Sequence, residues 1–405
     1  MSTGSAQIHD PVVGIFTMRI AVIAHGLHVA GGRSVATNII EALGRVRPSC
    51  EYLFVVPDDE GYRELAFPAR SQVMYYRRNW GGFGRMVFDL LQLPKVLRAF
   101  RPEVIFALGN FGVAHSPVPQ AILFHKPQLV YPSSSSRRER LAKRFNNWLM
   151  GLQLQRSLNN NALVFCQTET ICRRFRGMFG SYQGEIGLFP NAVSTRVHSD
   201  AEVESEPPSV CQGVGDKFVL FALTRYYPHK NLEVLIETFD QYREALSDIC
   251  CLLTIEPGQH PGARDLLQEI DRRNLQDKII NVGNLDQRQL PQYYRHVGAL
   301  ILPTLLESFS ATYIEAMALD CPILTSDLDF AREICADAAV YFDPNSPESV
   351  KNAIIRLRDD QELRQRLVNR GQHRLTQFET SWDKLTESAM TKIETFVRRM
   401  EKAAS

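Results

Sequence analysis

The sequence predicts an α/β chain built as two doubly wound parallel-sheet domains. Three observations predict it. Short apolar runs rich in Val, Ile, Leu and Phe recur along the chain, separated by longer stretches with helical spacing; that alternation is the mark of βαβ units. The runs are apolar throughout instead of alternating, as strands covered on both faces are. There are thirteen of them in 405 residues, too many for one strongly twisted open sheet and a comfortable number for two.

Taken in order, the runs place strands at 19–24, 52–56, 73–76, 104–108, 121–125, 163–166 and 186–189 in the first half. In the second half they fall at 218–223, 250–255, 279–282, 299–302, 323–325 and 340–342. The boundary is expected at 199–216, where Glu-Val-Glu-Ser-Glu-Pro-Pro-Ser and then Gly-Val-Gly-Asp interrupt the apolar pattern. The resulting division is a leader at 1–17, a first domain at 18–198, a linker at 199–216, a second domain at 217–381 and a terminal helix at 382–405. In that helix Leu385, Met390, Ile393 and Val397 share one face. Residues 1–17 lack the basic-then-apolar order of a signal peptide. The strand pattern starts at Met18, so the leader is expected to be disordered or to precede an alternative start.

Composition excludes several classes. The chain is 44% hydrophobic and 22% charged, enough to bury a core in each domain, and its net charge of +1 offers no basic field for nucleic acid. Eight cysteines occur without a CxxC pair, which reads as reduced thiols in a cytosolic protein. No apolar run is long enough to span a bilayer.

Chemistry concentrates where strands hand over to helices. Glu307-Ser308-Phe309-Ser310-Ala311-Thr312-Tyr313-Ile314-Glu315 follows the apolar run 299–303 and leads into a helix. Ligands of open α/β sheets bind at such carboxyl ends of strands, and a helix start favours a phosphate. Two carboxylates there suit the hydroxyls of a sugar or ribose. Glu315 also fits a capping box with Thr312, which explains it without a ligand; Glu307 has no such explanation.

Four further groups stand out. Arg225 and Lys230 lie in a loop after the run 218–223 and suit a diphosphate, Arg as a fork and Lys as a point charge, or are ordinary surface cations. Gly31-Gly32 follows the first strand and permits close backbone approach at a helix start, or is a plain turn. His125 ends a strand, either facing a ligand or sitting half-buried and neutral. Arg137-Arg138-Glu139-Arg140-Leu141-Ala142-Lys143-Arg144 precedes an apolar helical stretch. It reads as a solvated face or as a contact with an anionic membrane surface through residues 137–152. Asp327-Leu328-Asp329 resembles a metal-binding DxD. With cations already available for a diphosphate, no metal is expected.

Together these residues resemble glycosyltransferase family 4, the retaining enzymes of GT-B fold. The match runs from Pro303 through Glu307 and Glu315 to Ala318, with the family's spacing between the two glutamates. Arg225 and Lys230 fall at its diphosphate-binding positions. Gly283-Asn284-Leu285 resembles its turn beside the base, Gly31-Gly32 its glycine loop, and Pro190-Asn191-Ala192-Val193 its strand end before the linker. Ser308 stands where Gly is common, and Ala192 and Ser194 replace a commoner Gly and Asp.

The resemblance implies two Rossmann-like domains facing a cleft, with the terminal helix from Trp382 crossing back to the first. It implies that Glu307 accepts from donor-sugar hydroxyls, that Glu315 holds the ribose, and that Arg225 and Lys230 stabilise the leaving diphosphate. Backbone N–H groups of Phe309, Ser310 and Ala311 would touch phosphate or sugar. His125 would approach the transferred sugar, and Gly31 and Gly32 the phosphate, from the first domain. No cofactor is implied; the nucleotide sugar is a substrate. The function implied is hexose transfer from a nucleotide sugar, with GDP-mannose as the expected donor, to a glycan or lipid-linked acceptor in bacterial surface polysaccharide synthesis. The implied location is the cytoplasm, with a peripheral position on the inner face of the plasma membrane as one reading. A nucleotide-sugar epimerase on the same fold and a non-catalytic nucleotide-sugar or glycan-binding protein are the alternatives.

Overall fold

The computed structural model describes residues 17–28, 30–77, 84–85, 87–114, 116–131, 137–158, 162–192, 207–286 and 288–404. Residues 1–16 of the expected leader and 193–206 of the interdomain stretch lie outside them.

Among the described residues, thirteen strands form two wholly parallel sheets. The first contains β1 (Arg19–Ile23), β2 (Glu51–Pro57), β3 (Ser71–Tyr76), β4 (Val104–Ala107), β5 (Gln120–Phe124), β6 (Ala162–Cys166) and β7 (Glu185–Leu188), in the order 3-2-1-4-5-6-7. The second contains β8 (Phe218–Ala222), β9 (Ile249–Leu253), β10 (Ile279–Asn281), β11 (Ala299–Leu302), β12 (Ile323–Ser326) and β13 (Ala339–Phe342), in the order 10-9-8-11-12-13. Each is the doubly wound order of dinucleotide-binding folds, reversing direction beside its first strand. Every sequence-predicted strand is present, with ends shifted by a residue or two.

Helices cover both faces. Those of the first half are α1 (Ala30–Val46), α2 (Glu60–Arg63), α3 (Leu93–Phe100), α4 (Arg137–Ser157) and α5 (Glu169–Met178). A π-helical turn, Phe88–Gln92, leads into α3. In the second half are α6 (Ser209–Gly213), α7 (Glu233–Gln241), α8 (Pro261–Arg272), α9 (Leu290–His296) and α10 (Ala311–Ala318). They are followed by α11 (Asp329–Cys335), α12 (Pro347–Asp359), α13 (Gln361–Leu375) and α14 (Trp382–Ala404). Within the expected linker, α6 is ordered because Val210, Cys211 and Val214 pack on the second domain's core. The tail of that stretch therefore belongs to the second domain.

The terminal helix α14 leaves the second domain and packs on α1 of the first. Ala389, Met390, Ile393, Phe396 and Val397, spaced along one helical face, join the core that contains Ile20, Phe54 and Phe106. Each large side chain buried there contributes about 1.5–3 kcal/mol. Ion pairs frame the contact: Arg45 with Asp383 at 2.8 Å, and Arg47 with Glu394 at 2.7 Å and with Glu387.

A second bridge joins the domains near α5. The Glu333 carboxylate on α11 accepts from the backbone N–H groups of Glu169 and Thr170, at 2.7 and 2.8 Å. It thereby satisfies free donors in the first turn of a helix in the other domain. Asp329 accepts from Tyr131 Oη at 3.0 Å and from Arg174 Nε at 2.8 Å, while the Arg174 guanidinium lies 4.0 Å from the Tyr131 ring centre. Asp327 is bound to Arg332 at 2.7 and 2.9 Å. Both carboxylates of the DxD-like sequence are thus committed to cations. No group of three or more His, Cys, Asp or Glu side chains suited to a metal occurs among the described residues.

All eight cysteines are free thiols, seven of them buried. No helix among the described residues is long and apolar enough to cross a membrane.

Candidate active site

The second sheet reverses between β8 and β11, and the loops after these two strands carry the charged groups. The β8 loop ends in a 3-10 turn, Pro228–Lys230, closed by Asn231 in a left-handed conformation at φ 54°. Asn tolerates that region better than most residues. The Asn231 amide donates to the carbonyls of Pro303 at 3.3 Å and Pro344 at 2.8 Å. Leu305 N and Thr304 Oγ donate to the His229 carbonyl at 2.8 and 3.2 Å. These bonds zip the β8 loop to the β11 loop, and two residues 77 positions apart meet as an ion pair, Lys230 Nζ with Glu307 Oε1.

Both partners are largely buried, 16% and 14% exposed. Thr304 Oγ also donates to Glu307 Oε1, at 3.3 Å. Both contacts fall on one oxygen. Glu307 Oε2 accepts no hydrogen bond among the described residues and keeps its acceptor capacity for a hydroxyl. Arg225 is half-buried in the same loop and makes no ion pair among the described residues.

Beyond Glu307 the chain enters α10. Ser310 is its N-cap residue, yet its side chain makes no capping bond. The N–H groups of Ala311 and Thr312 make no hydrogen bond among the described residues and can meet a ligand oxygen, while Tyr313 N donates to the Ser310 carbonyl at 3.3 Å. The capping box read from Thr312 and Glu315 is absent, because Thr312 lies inside the helix. Burial raises the Glu315 pKa to about 7, against a smaller lowering influence of the nearby Tyr294 hydroxyl. Glu315 faces inward from a helix whose Tyr313, Ile314, Ala316 and Met317 are all buried. Phe309 and Ser310 are themselves buried, while Ala311 is exposed.

Gly283 has φ 73°, a conformation that favours glycine. Asn281 holds this turn: its side-chain oxygen accepts from Ile255 N at 3.0 Å and from Gly283 N at 3.4 Å. Asn284 is exposed and Leu285 packs partly on the core.

In the first domain, Gly31 and Gly32 form the first turn of α1. A Cβ on Gly32 would sit 3.1 Å from the Leu27 side chain and 4.0 Å from His125 Cε1; one on Gly31 would meet nothing within 4 Å. His125 follows β5 and its backbone N–H donates to Asn110 Oδ1 at 2.7 Å. Burial, with a smaller push from the Lys126 ammonium, lowers the His125 pKa to about 4. Its imidazole is neutral at pH 7 and can exchange hydrogen bonds without carrying charge.

So Arg225, Lys230, Glu307 and the start of α10 gather at one sheet reversal. Gly31, Gly32 and His125 gather at the carboxyl edge of the other sheet. Sequence reasoning missed Thr304, Asn231 and Tyr294, the residues that fix Glu307, Lys230 and Glu315. Only Asn231, in a turn-forming string, left a local signal.

Residues 212–374 match the family described as glycosyl transferases group 1. Over those residues the chain is similar to that family. The O-antigen chain mannosyltransferase RfbU of Salmonella typhimurium is 30% identical over 128 residues, covering 32% of this chain and 35% of that protein. The O-antigen chain mannosyltransferase B of Escherichia coli is 24% identical over 202 residues, 48% of this chain and 52% of that one. The matches thus span about a third and a half of these relatives. Among solved structures, a sucrose-phosphate synthase from Thermosynechococcus elongatus aligns with a TM-score of 0.70 at 17% identity, covering 96% of this chain and 100% of its own. At that identity the likeness speaks for the fold, which is GT-B.

Proposed function

We propose that this protein is a retaining glycosyltransferase of family 4. It moves a hexose from a nucleotide sugar to a glycan acceptor in bacterial surface polysaccharide synthesis, with GDP-mannose as the favoured donor. The observation that carries the reading is the Lys230–Glu307 pair, with Glu307 Oε2 and Arg225 both unpaired among the described residues, beside a helix start whose N-cap side chain makes no capping bond. The relatives named as O-antigen mannosyltransferases favour mannose and this pathway.

Charge develops on the departing diphosphate and on the sugar ring as the glycosyl–phosphate bond breaks. Arg225, Lys230 and the free N–H groups of α10 stabilise the phosphate side, which costs no reorganisation because the loops are already zipped together. Glu307 accepts from a sugar hydroxyl through Oε2. Glu315 accepts from the ribose in its ionised form. The acceptor attacks from the face the diphosphate leaves, and its proton passes to a departing phosphate oxygen. No metal takes part in this scheme, because the diphosphate charge meets protein cations.

The acceptor surface includes α4, whose sequence begins with the basic run and whose Trp148 and Leu149 are 57% and 46% exposed. Trp148 also rims a 560 Å³ cavity with Leu129, Tyr131, Met178 and Phe179. Apolar side chains beside a basic segment suit a lipid-linked acceptor at an anionic membrane.

The test is a panel of GDP-, UDP- and ADP-sugars with product analysis by NMR. The expected product keeps the donor's anomeric configuration; inversion refutes the retaining assignment. A donor that binds only the folded state also raises the melting temperature.

A further inference from the structure

The first sheet has its own reversal, between β1 and β4, and two cations converge there from separate segments. The Arg85 guanidinium lies against the backbone of Gly26, just past β1, so closely that a Cβ on Gly26 would collide with it. A Cβ on Gly109, just past β4, would lie 3.9 Å from it. Arg85 therefore spans the crevice at the reversal, and Gly26 is the residue that gives it room. Lys126 comes from the end of β5. Its ammonium and the Arg85 guanidinium each lie 5.9 Å from the centre of the Phe111 ring.

These cations are poorly neutralised. Asp89 lies 3.6 Å from Arg85 Nε, but it also faces His25 Nε2 at 2.8 Å. Arg85 Nε is buried without a hydrogen-bond partner, and Lys126 has no ion pair among the described residues. Burial and the nearby Arg85 charge both weaken the hold of Lys126 on its proton. Two neighbouring cations, one with part of a carboxylate and the other with none, are unfavourable by themselves, and a bound anion relieves them.

We propose that Arg85 and Lys126 bind a phosphate group carried by the acceptor, making the acceptor a phosphate ester or diphosphate and not a neutral glycan end. The place is where open α/β sheets take ligands, and a guanidinium fork beside an ammonium suits a phosphate dianion. The donor diphosphate has its own cations, Arg225 and Lys230, on the other domain. That the phosphate belongs to the acceptor rests on the glycosyl-transfer reading; the anion site does not.

Calorimetric titration of inorganic phosphate into the full-length Arg225→Ala/Lys230→Ala protein isolates this site from the donor crevice. In that background Lys126→Gln and Arg85→Gln are each expected to weaken phosphate binding at least tenfold, and Lys126→Arg to retain it within threefold. Thermal melts verify that each variant is folded. Unchanged affinity in folded Lys126→Gln and Arg85→Gln, or no phosphate binding at millimolar concentration, overturns the site. Competition then identifies the source. Displacement of phosphate by mannose 6-phosphate assigns a soluble sugar phosphate, and displacement by a short-chain prenyl diphosphate assigns a lipid-linked one. Displacement by neither overturns the acceptor assignment. An absence of sugar transfer leaves this titration unaffected, so the two readings fail separately.

Discussion

The two sheet reversals have the same strand order and opposite electrostatic organisation. At the β8–β11 reversal, Lys230 is already paired with Glu307, and the loops are locked by backbone and asparagine bonds. At the β1–β4 reversal, Arg85 and Lys126 lie against the same Phe111 ring, and the one carboxylate near them, Asp89, is divided between Arg85 and His25. The first arrangement is rigid before ligand arrives; the second gains by receiving one. One scaffold, used twice, can therefore supply a preorganised donor crevice and a charge-hungry surface facing it from another domain.

Breaking the Lys230–Glu307 pair should give the largest effect. Lys230→Ala and Glu307→Ala are each expected to lower kcat/KM by about 10²–10³-fold, the usual scale for losing one preorganised electrostatic group. Each also strands a largely buried partner, at a cost to stability of about 1–3 kcal/mol. The double variant separates the two roles. If the pair is only a structural tie, removing both partners restores much of the stability and the activity. If Glu307 Oε2 and Lys230 act on the donor, stability returns and transfer does not. Steady-state rates and melting temperatures on the same three proteins decide it.

Glu315 sharpens the comparison through pH. Its folded pKa of about 7 stands above the ordinary 4.5. Between these values the folded protein keeps a proton that the unfolded chain has lost. Stability from this group is therefore fully present below pH 4.5, falls as pH rises and levels off above 7. Glu315→Gln, which keeps the shape of the side chain without its charge, should flatten that fall and exceed wild type in melting temperature at pH 8. Ribose hydroxyls need the ionised form as acceptor, so donor affinity in wild type should rise several-fold from pH 6 to pH 8 and stay flat in Glu315→Gln. Equal pH slopes in both proteins would remove Glu315 from the ribose.

The fold was legible and the first domain's site was not, for physical reasons. Buried parallel strands must be apolar throughout, so all thirteen stand out in the sequence within a residue or two of their ends. Arg225, Lys230, Glu307 and Glu315 also stand out, because short loops at strand ends place them by sequence distance alone. What fixes them does not. Thr304 and Asn231 are ordinary loop residues until the two loops pack together, and Tyr294 reaches Glu315 from a different helix. Arg85 is harder still: it sits near no strand end in sequence and reaches the crevice only because Gly26 lacks a side chain. The capping box on Thr312 failed for a similar reason. The helix starts two residues earlier than the spacing suggests, with Ser310 at its N-cap, which leaves Glu315 half-buried near Tyr294 in the second turn.

The bridge between the domains offers a smaller effect. Glu333→Gln weakens the charge that Glu333 places on the first turn of α5, and Glu333→Ala removes the cap entirely. A lost cap costs about 0.5–2 kcal/mol, so Glu333→Ala should lower the melting temperature modestly and Glu333→Gln less. If the bridge holds the domains together in the unliganded protein, both variants also become more susceptible to proteolysis in the interdomain stretch, and Asp329→Asn does likewise. Unaltered cleavage in all three would confine Glu333 to a local role in α5.

The smallest stability change is the most informative about the first domain. Gly31 lies in the first turn of α1, and a Cβ there meets no protein atom within 4 Å. Nothing in the fold excludes alanine. Because glycine is a poor helix residue, Gly31→Ala should be neutral or stabilising by up to about 1 kcal/mol. A ligand is different. If backbone N–H groups at the start of α1 close on the donor phosphate, the added methyl occupies the space the phosphate needs, and donor affinity falls while the melting temperature holds or rises. Gly32→Ala is the control, since its Cβ meets Leu27 at 3.1 Å and disturbs packing near His125 whether or not a ligand is bound. A Gly31→Ala protein with both stability and donor affinity intact would move the donor phosphate away from α1, and leave the second domain to bind it alone.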